Sequence, residues 1–169
     1  MKKIILASTL GTLGVLAMAT PAFAGSGNTS TATGTATATI VSPIVLTHPA
    51  AASLSFGRFT TGTGGTVSVT AAGVGSVGSD VTFVPGSTNS ADQFTVAGDA
   101  SRSFSISTTG GNVTSGATNL AFTTTPSAAT ASLSTTGTAS FTVGGTLTVT
   151  GTAPAGSYTG TYSATVTYN

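Results

Sequence analysis

The sequence predicts an all-β protein built as an antiparallel β-sandwich. Short runs that alternate apolar and polar residues recur along most of the chain, as expected for half-buried strands. Beyond the N-terminal apolar run, no window carries apolar residues at helical spacing. Glycine supplies 23 of the 169 residues, mostly between the alternating runs, where it favours turns.

The first 24 residues are typical of a secretory signal peptide. Met1-Lys2-Lys3 is positively charged, residues 4–18 are mostly apolar, and Ala22-Phe23-Ala24 fits the small-residue rule for cleavage. We therefore expect export through the inner membrane and cleavage after Ala24. A retained N-terminal anchor is the alternative. No second long apolar run follows, so no membrane span is expected after cleavage.

The predicted mature chain carries very little charge. Lys2 and Lys3 leave with the signal peptide, and the remaining charges are two arginines and three aspartates. Nucleic-acid binding and attraction to anionic lipid both need clustered basic residues, which this chain lacks. So few charges favour a subunit of an assembly. The alternative is a secreted domain hydrated by its threonine, serine and asparagine residues. The absence of cysteine excludes disulfides.

Eight or nine short strands are predicted in a single domain, residues 42–169. Gly144-Gly145 matches a two-residue hairpin signal, and residues 73–79 are expected to be a loop. The predicted strands lie at residues 53–59, 66–70, 80–84, 93–97, 103–107, 119–123, on both sides of Gly144-Gly145, and at the end of the chain.

The last of these strands has the most regular pattern. From Tyr158 onward, apolar or small residues alternate with threonine or serine. A terminal strand of this kind needs a partner along its edges, because an open edge promotes aggregation. The partner can come from this chain or from another one. The residues predicted on the inward side, together with the glycine that precedes them, are Gly156, Tyr158, Tyr162, Ala164, Val166 and Tyr168.

Residues 25–41 are predicted to form an N-terminal extension. Its first residues are polar, and residues 31–41 then alternate strictly, with threonine on one face. Such a segment can fill a groove in a neighbour by strand addition. Pro43 ends the pattern because proline lacks a backbone N–H. The residues of the candidate inserting face are Ala32, Gly34, Ala36, Ala38 and Ile40.

The terminal strand resembles the chaperone-recognition motif of chaperone–usher fimbrial subunits. That motif has a glycine fourteen residues from the C-terminus and a penultimate tyrosine, which correspond to Gly156 and Tyr168. Other segments are similar to a cysteine-free family of secreted bacterial domains of unassigned function, allied to spore-coat-U-like and Mat-type fimbrial proteins. They are Leu54-Ser-Phe56-Gly57, Phe94-Thr-Val96-Ala-Gly98, Gly144-Gly145-Thr-Leu147-Thr-Val149 and Gly156-Ser-Tyr158-Thr-Gly160-Thr-Tyr162. Two features depart from the fimbrial pattern, namely the absent disulfide and the small residues of the extension.

The resemblance implies a pilin-type, immunoglobulin-like sandwich with Greek-key connections that lacks one strand. A periplasmic chaperone would lend a strand beside residues 156–168, and at an outer-membrane usher the next subunit's extension would replace it. The resulting product would be a head-to-tail homopolymer at the cell surface, or released into the medium. The donor would be the Ala32–Ile40 face described above.

Catalytic and metal-binding signals are weak. His48 is the single histidine, glutamate is absent, and no nucleophile elbow or carboxylate pair occurs. We expect His48 to lie at the surface or the core edge, and Asp80, Asp92 and Asp99 to act in turns and caps. The sequence thus predicts no enzyme, no metal and no cofactor. The main alternative is a self-contained module, with its extension folded back, that binds carbohydrate or a host surface.

Overall fold

A computed structural model describes residues 27–169. Ile40–Asn169 form one compact unit. The predicted signal peptide, residues 1–24, lies outside the described residues. In the described part of the chain, no helix is long and apolar enough to cross a membrane.

The described chain is all-β, and every strand pairing is antiparallel. The thirteen strands are β1 (Val45–Thr47), β2 (Phe59–Thr60), β3 (Gly64–Val69), β4 (Gly75–Ser79), β5 (Thr82–Phe83), β6 (Asp92–Ala97), β7 (Ser103–Thr108), β8 (Gly111–Ser115), β9 (Thr118–Pro126), β10 (Thr130–Ser132), β11 (Thr138–Thr150), β12 (Thr159–Gly160) and β13 (Ala164–Tyr168).

The long strand β11 organises the main sheet, which has eight strands. One edge of β11 pairs first with β6, through residues 138–143, and then with β3, through residues 145–150. The other edge pairs with β9, and β8 and β12 follow beyond it. Strands β1 and β4 extend the sheet beside β6 and β3.

Two smaller sheets complete the sandwich. A three-stranded sheet has the order β10-β7-β13, and β2 pairs with β5. Inward side chains of these sheets meet those of the main sheet, as in an immunoglobulin-like antiparallel sandwich. The predicted fold class is therefore confirmed.

The core consists of two clusters of buried side chains. Tyr162 is half-buried and packs against both of them. The first cluster comprises Phe56, Val67, Val69, Val81, Leu120, Phe122, Leu147 and Val149. The second comprises Phe94, Val96, Phe104, Ile106, Leu133, Phe141 and Val143.

The predicted hairpin at Gly144-Gly145 is wrong, because β11 runs through both glycines without a turn. Both are buried where backbones approach closely. A Cβ on Gly144 would overlap the carbonyl of Val69, and one on Gly145 would overlap the carbonyl of Thr123. The glycines therefore allow β11 to pair on both edges, with β3 and with β9. Within the predicted loop at residues 73–79, Gly75–Ser79 forms β4.

The predicted terminal strand is two strands. β12 belongs to the main sheet, and β13 belongs to the three-stranded sheet, with the crossing at residues 161–163. We call residues 158–168 the terminal segment. Within residues 27–169, β12 pairs only with β8 and β13 only with β7, so each has one unpaired edge.

The described part of the N-terminal extension, residues 27–41, contains no strand. All of its residues are exposed, and the Ile40 side chain is 96% exposed. Alternating sequence alone does not produce a strand, because a strand needs a neighbour for its backbone hydrogen bonds.

Candidate functional site: an open groove along the terminal segment

An open groove of about 1170 Å³ lies over the first core cluster. Residues 52–61 supply one wall and residues 153–162 supply the other. The first wall is mostly irregular and is attached to the body by a backbone bridge between Ser55 and Ser90. The second wall contains β12, whose outer edge is unpaired in the described chain. The groove thus combines an apolar interior with an unused strand edge.

The interior of the groove is mainly apolar and aromatic. Its floor comes from inward residues of β8, β9 and β11, because alternate residues of these strands face the core. Phe122 packs edge-on against both Phe56 and Tyr162, with ring centroids about 6 Å apart. The floor residues are Val113, Leu120, Phe122, Leu147 and Val149.

A buried carboxylate lies at one end of the groove. Asp92, at the start of β6, is only 4% exposed. Its Oδ2 accepts a hydrogen bond from the Tyr162 hydroxyl at 2.7 Å. Its Oδ1 lies 2.7 Å from Nε2 of His48 and accepts a bond from the Gln93 backbone N–H at 2.8 Å. The carboxylate is therefore fully hydrogen-bonded although it is removed from water.

These contacts join three parts of the chain. His48 follows β1, Asp92 begins β6, and Tyr162 lies at the crossing between β12 and β13. The His48 ring also packs against Phe94, with centroids 4.9 Å apart. Burial raises the pKa of Tyr162 far above the ordinary tyrosine range, and the hydrogen bond and charge of Asp92 raise that pKa further. Tyr162 is therefore a stable hydrogen-bond donor.

The C-terminal end of the terminal segment is held in place by contacts of Tyr168. Its hydroxyl donates a hydrogen bond to the Ser42 carbonyl at 3.0 Å and accepts one from the Asp99 backbone N–H at 2.7 Å. The Arg102 guanidinium lies over the ring, 4.8 Å from its centroid. This contact joins the end of β13 directly to the chain segment that precedes β1.

The predicted site residues therefore fall into three groups. Gly156, Tyr158 and Tyr162 line the groove. Ala164, Val166 and Tyr168 are half-buried against the second cluster and do not line it. The predicted donor residues, Ala32, Gly34, Ala36, Ala38 and Ile40, are exposed.

The sequence analysis missed the contacts of His48 and Asp92. His48 is exposed, in agreement with the predicted position at the surface or the core edge, but it lies beside a carboxylate 44 residues away in sequence. Asp92 begins a strand and is buried, whereas a turn or cap role was expected. The available signal was its position two residues before Phe94, on the inward face of an alternating run. Among residues 27–169, no group of three metal-ligating side chains comes together.

Comparison with known proteins gives one family. No curated protein and no solved structure matches the chain. A family model described as a domain of unknown function, DUF4402, matches residues 46–168, which include every strand but the first residue of β1. The chain is therefore a member of the DUF4402 family.

Proposed function

We propose that this protein is a structural subunit of a bacterial surface fibre, assembled non-covalently by donor-strand exchange. The observation that carries the proposal is the open groove, an apolar-lined cavity that lies over the first core cluster beside the unpaired edge of β12. Open apolar cavities and free strand edges favour association with another segment. A strand bound in the groove would fill the apolar cavity and would also pair with the free edge of β12.

The occupant we propose is the N-terminal extension of a second copy. Residues 31–41 alternate threonine with small or apolar residues, so an inserted strand would direct one face inward and leave threonine toward water. In the described chain this segment is exposed and has no strand partner. Its lack of charge suits an aromatic groove, because a buried unpaired charge would be costly.

Insertion of each extension into the next copy gives a head-to-tail contact that does not close on itself, which builds a fibre. The proposal includes export, transient pairing with a periplasmic chaperone, and delivery through an outer-membrane usher to the cell surface. The fimbrial resemblance of the terminal segment supports these partners.

Paired charges on the extension test the proposal. Ala36→Asp with Ile40→Asp places two carboxylates on the inserting face and should leave subunits unpolymerised in electron micrographs of the secreted protein. The matched control, Thr37→Asp with Thr39→Asp, places the same charge on the outer face and should leave fibres intact. Normal fibres from the first variant would exclude this segment as the donor.

A self-contained binding module is the second candidate. Six aromatic rings line the groove, and aromatic surfaces suit carbohydrate or other small ligands. This function predicts a stable monomer that forms no fibres and whose behaviour does not depend on charges in the extension. Size-exclusion chromatography of the same two variants distinguishes the functions.

A further inference from the structure

We propose that Tyr162 is the end wall of the open groove and limits the bound segment to a short strand with two or three inward side chains. The inference rests on the proposed function and specifies its partner. The occupant lies on the Tyr158 side of Tyr162 and does not continue inward along β13.

The first observation is where the groove ends along the terminal segment. Its lining along the terminal segment extends to Tyr162 and stops there. Ala164 and Val166, the next inward residues, do not line it and instead pack on the second cluster. The groove therefore lies mainly over the first core cluster and reaches the second only at Phe94, which itself packs against Tyr162.

The second step concerns how Tyr162 is held. Its ring packs edge-on against Phe94 on one side and Phe122 on the other, and its hydroxyl is bonded to the buried carboxylate of Asp92. The other oxygen of Asp92 is in turn bonded to His48. A ring fixed by contacts with two strands, β6 and β9, does not move aside easily, so Tyr162 is a firm barrier.

The third step is the closure beyond Tyr162. Ile44 and Leu46, which flank the start of β1, pack on the second cluster. The Tyr168 hydroxyl reaches the Ser42 carbonyl, so the chain entering β1 lies against the end of β13. Inward side chains of a strand added beside β13 would therefore meet side chains already packed on the second cluster.

The length of the open part sets the kind of partner. Residues 153–157 of the second wall form no strand, so the wall beside which a strand can pair runs from Tyr158 to Tyr162. Over that distance a strand advances about 13 Å, at about 3.3 Å per residue, which accommodates two or three side chains on one face. The extension offers five such side chains over residues 32–40. Only part of the extension can therefore enter, and the rest stays outside the neighbour's core.

Disulfide capture tests this limit, because the natural chain has no cysteine. One full-length copy carries Ala153→Cys, in the groove, or Ala164→Cys, beyond Tyr162. Both positions are half-buried alanines, so the two substitutions are matched. A second copy, with a different tag, carries a cysteine at Ala32, Ala36 or Ala38. Mixed copies are oxidised, and cross-linked dimers are counted on non-reducing gels.

We expect Ala153→Cys to capture at least one extension cysteine, and Ala164→Cys to capture on the order of tenfold less. Adding Tyr162→Val, which keeps a β-branched apolar side chain but removes the ring, should raise capture at Ala164→Cys several-fold. Thermal melting identifies any variant that fails to fold. For an unfolded Tyr162→Val protein, Tyr162→Leu replaces it.

Two outcomes overturn the inference in different ways. Equal capture at both positions with Tyr162 intact would show that the occupant passes Tyr162, and the proposed fibre function would survive. Capture at neither position, with folded variants, would refute the fibre function and the length limit together.

Discussion

At the scale of single residues, Asp92 is the unusual feature of the molecule. It is the one charged side chain buried in the described chain, and its three hydrogen-bond donors come from His48, Gln93 and Tyr162. Removing one donor from a buried polar group costs about 1–3 kcal/mol, and more when the group is a charged carboxylate, because the desolvated oxygen stays unpaired. The hydrogen bond to Asp92 therefore favours one position of the Tyr162 hydroxyl over others.

An alkaline titration should distinguish the Tyr162 hydroxyl from the other tyrosines, because its pKa is raised. Its pKa is raised by burial first and by Asp92 second. The folded protein therefore keeps a proton that the unfolded chain loses near pH 10. The stability that depends on this proton is complete below that pH and is lost as the pH rises above it. We expect part of the tyrosinate absorbance to develop late in an alkaline titration.

Two substitutions check this assignment. Tyr162→Phe should remove the late part of the absorbance, together with its share of the alkaline loss of stability in urea denaturation. Asp92→Asn should shift the late rise in tyrosinate absorbance only partway toward the pH at which an exposed tyrosine ionises. Burial, the larger cause of the raised Tyr162 pKa, remains in this variant. A late component that persists in Tyr162→Phe would contradict the assignment.

At the scale of elements, the terminal strand β13 pairs with β7 along one edge and is further attached at its end by the Tyr168 side chain. The Tyr168 hydroxyl fits against Gly98, where a Cβ would overlap it. The same hydroxyl joins β13 to Ser42 and to Asp99, which lie in two other parts of the chain. One small residue and one large residue therefore determine together where an edge strand ends.

Gly98→Ala should destabilise the protein by about 1–3 kcal/mol through overpacking against Tyr168. In the Tyr168→Phe background the clashing oxygen is absent, so the same substitution should cost less. Urea denaturation of the four proteins in this double-mutant cycle measures the difference. Additive effects would show that Gly98 matters for a reason other than the hydroxyl.

The elements also show what the sequence could predict. Alternation identified most strands, because burial on one face is a local property of the pattern. It also contained evidence against the hairpin at Gly144-Gly145. A two-residue hairpin pairs residue 143 with residue 146 and would turn Thr146 toward the core. The apolar positions Val143, Leu147 and Val149 instead keep one parity through Gly145, as a continuous strand requires.

Other features depended on contacts between distant segments. The terminal segment alternates without a break, yet Tyr162 lies where the chain crosses from one sheet to another. Neither that crossing nor the His48–Asp92 contact leaves a local pattern, because partners far apart in sequence create both. Inward positions were thus predictable, but the extent of the groove was not.

At the scale of the whole molecule, long-range electrostatics contribute little. Apart from Asp92 and His48, the charged side chains of the described residues are Arg58, Asp80, Asp99 and Arg102. Arg102 and Asp99 approach to 3.9 Å, but both are more than a third exposed. A surface pair of this kind contributes about 0–1 kcal/mol. Apolar burial and backbone pairing therefore dominate the stability.

Stability should accordingly respond to the type of salt more than to ionic strength. We expect sodium chloride between about 0.01 and 0.15 M to change the free energy of unfolding by less than about 1 kcal/mol. Sulfate, which strengthens apolar burial, should raise it. Urea denaturation in both salts measures the effect, and a strong chloride dependence would show that charge interactions matter after all.

The central position of β11 has a kinetic consequence. Strands β3, β6 and β9 all precede β11 in the sequence and all pair with it. The pairing of β3 with β11, for example, joins Val69 to Gly145 and cannot form before β11 is present. Such non-local pairing is slow, since a large loop must close before any contact compensates the lost entropy. A newly synthesised chain therefore spends a long interval with its main sheet unassembled. During that interval proteases and holdase proteins compete for it.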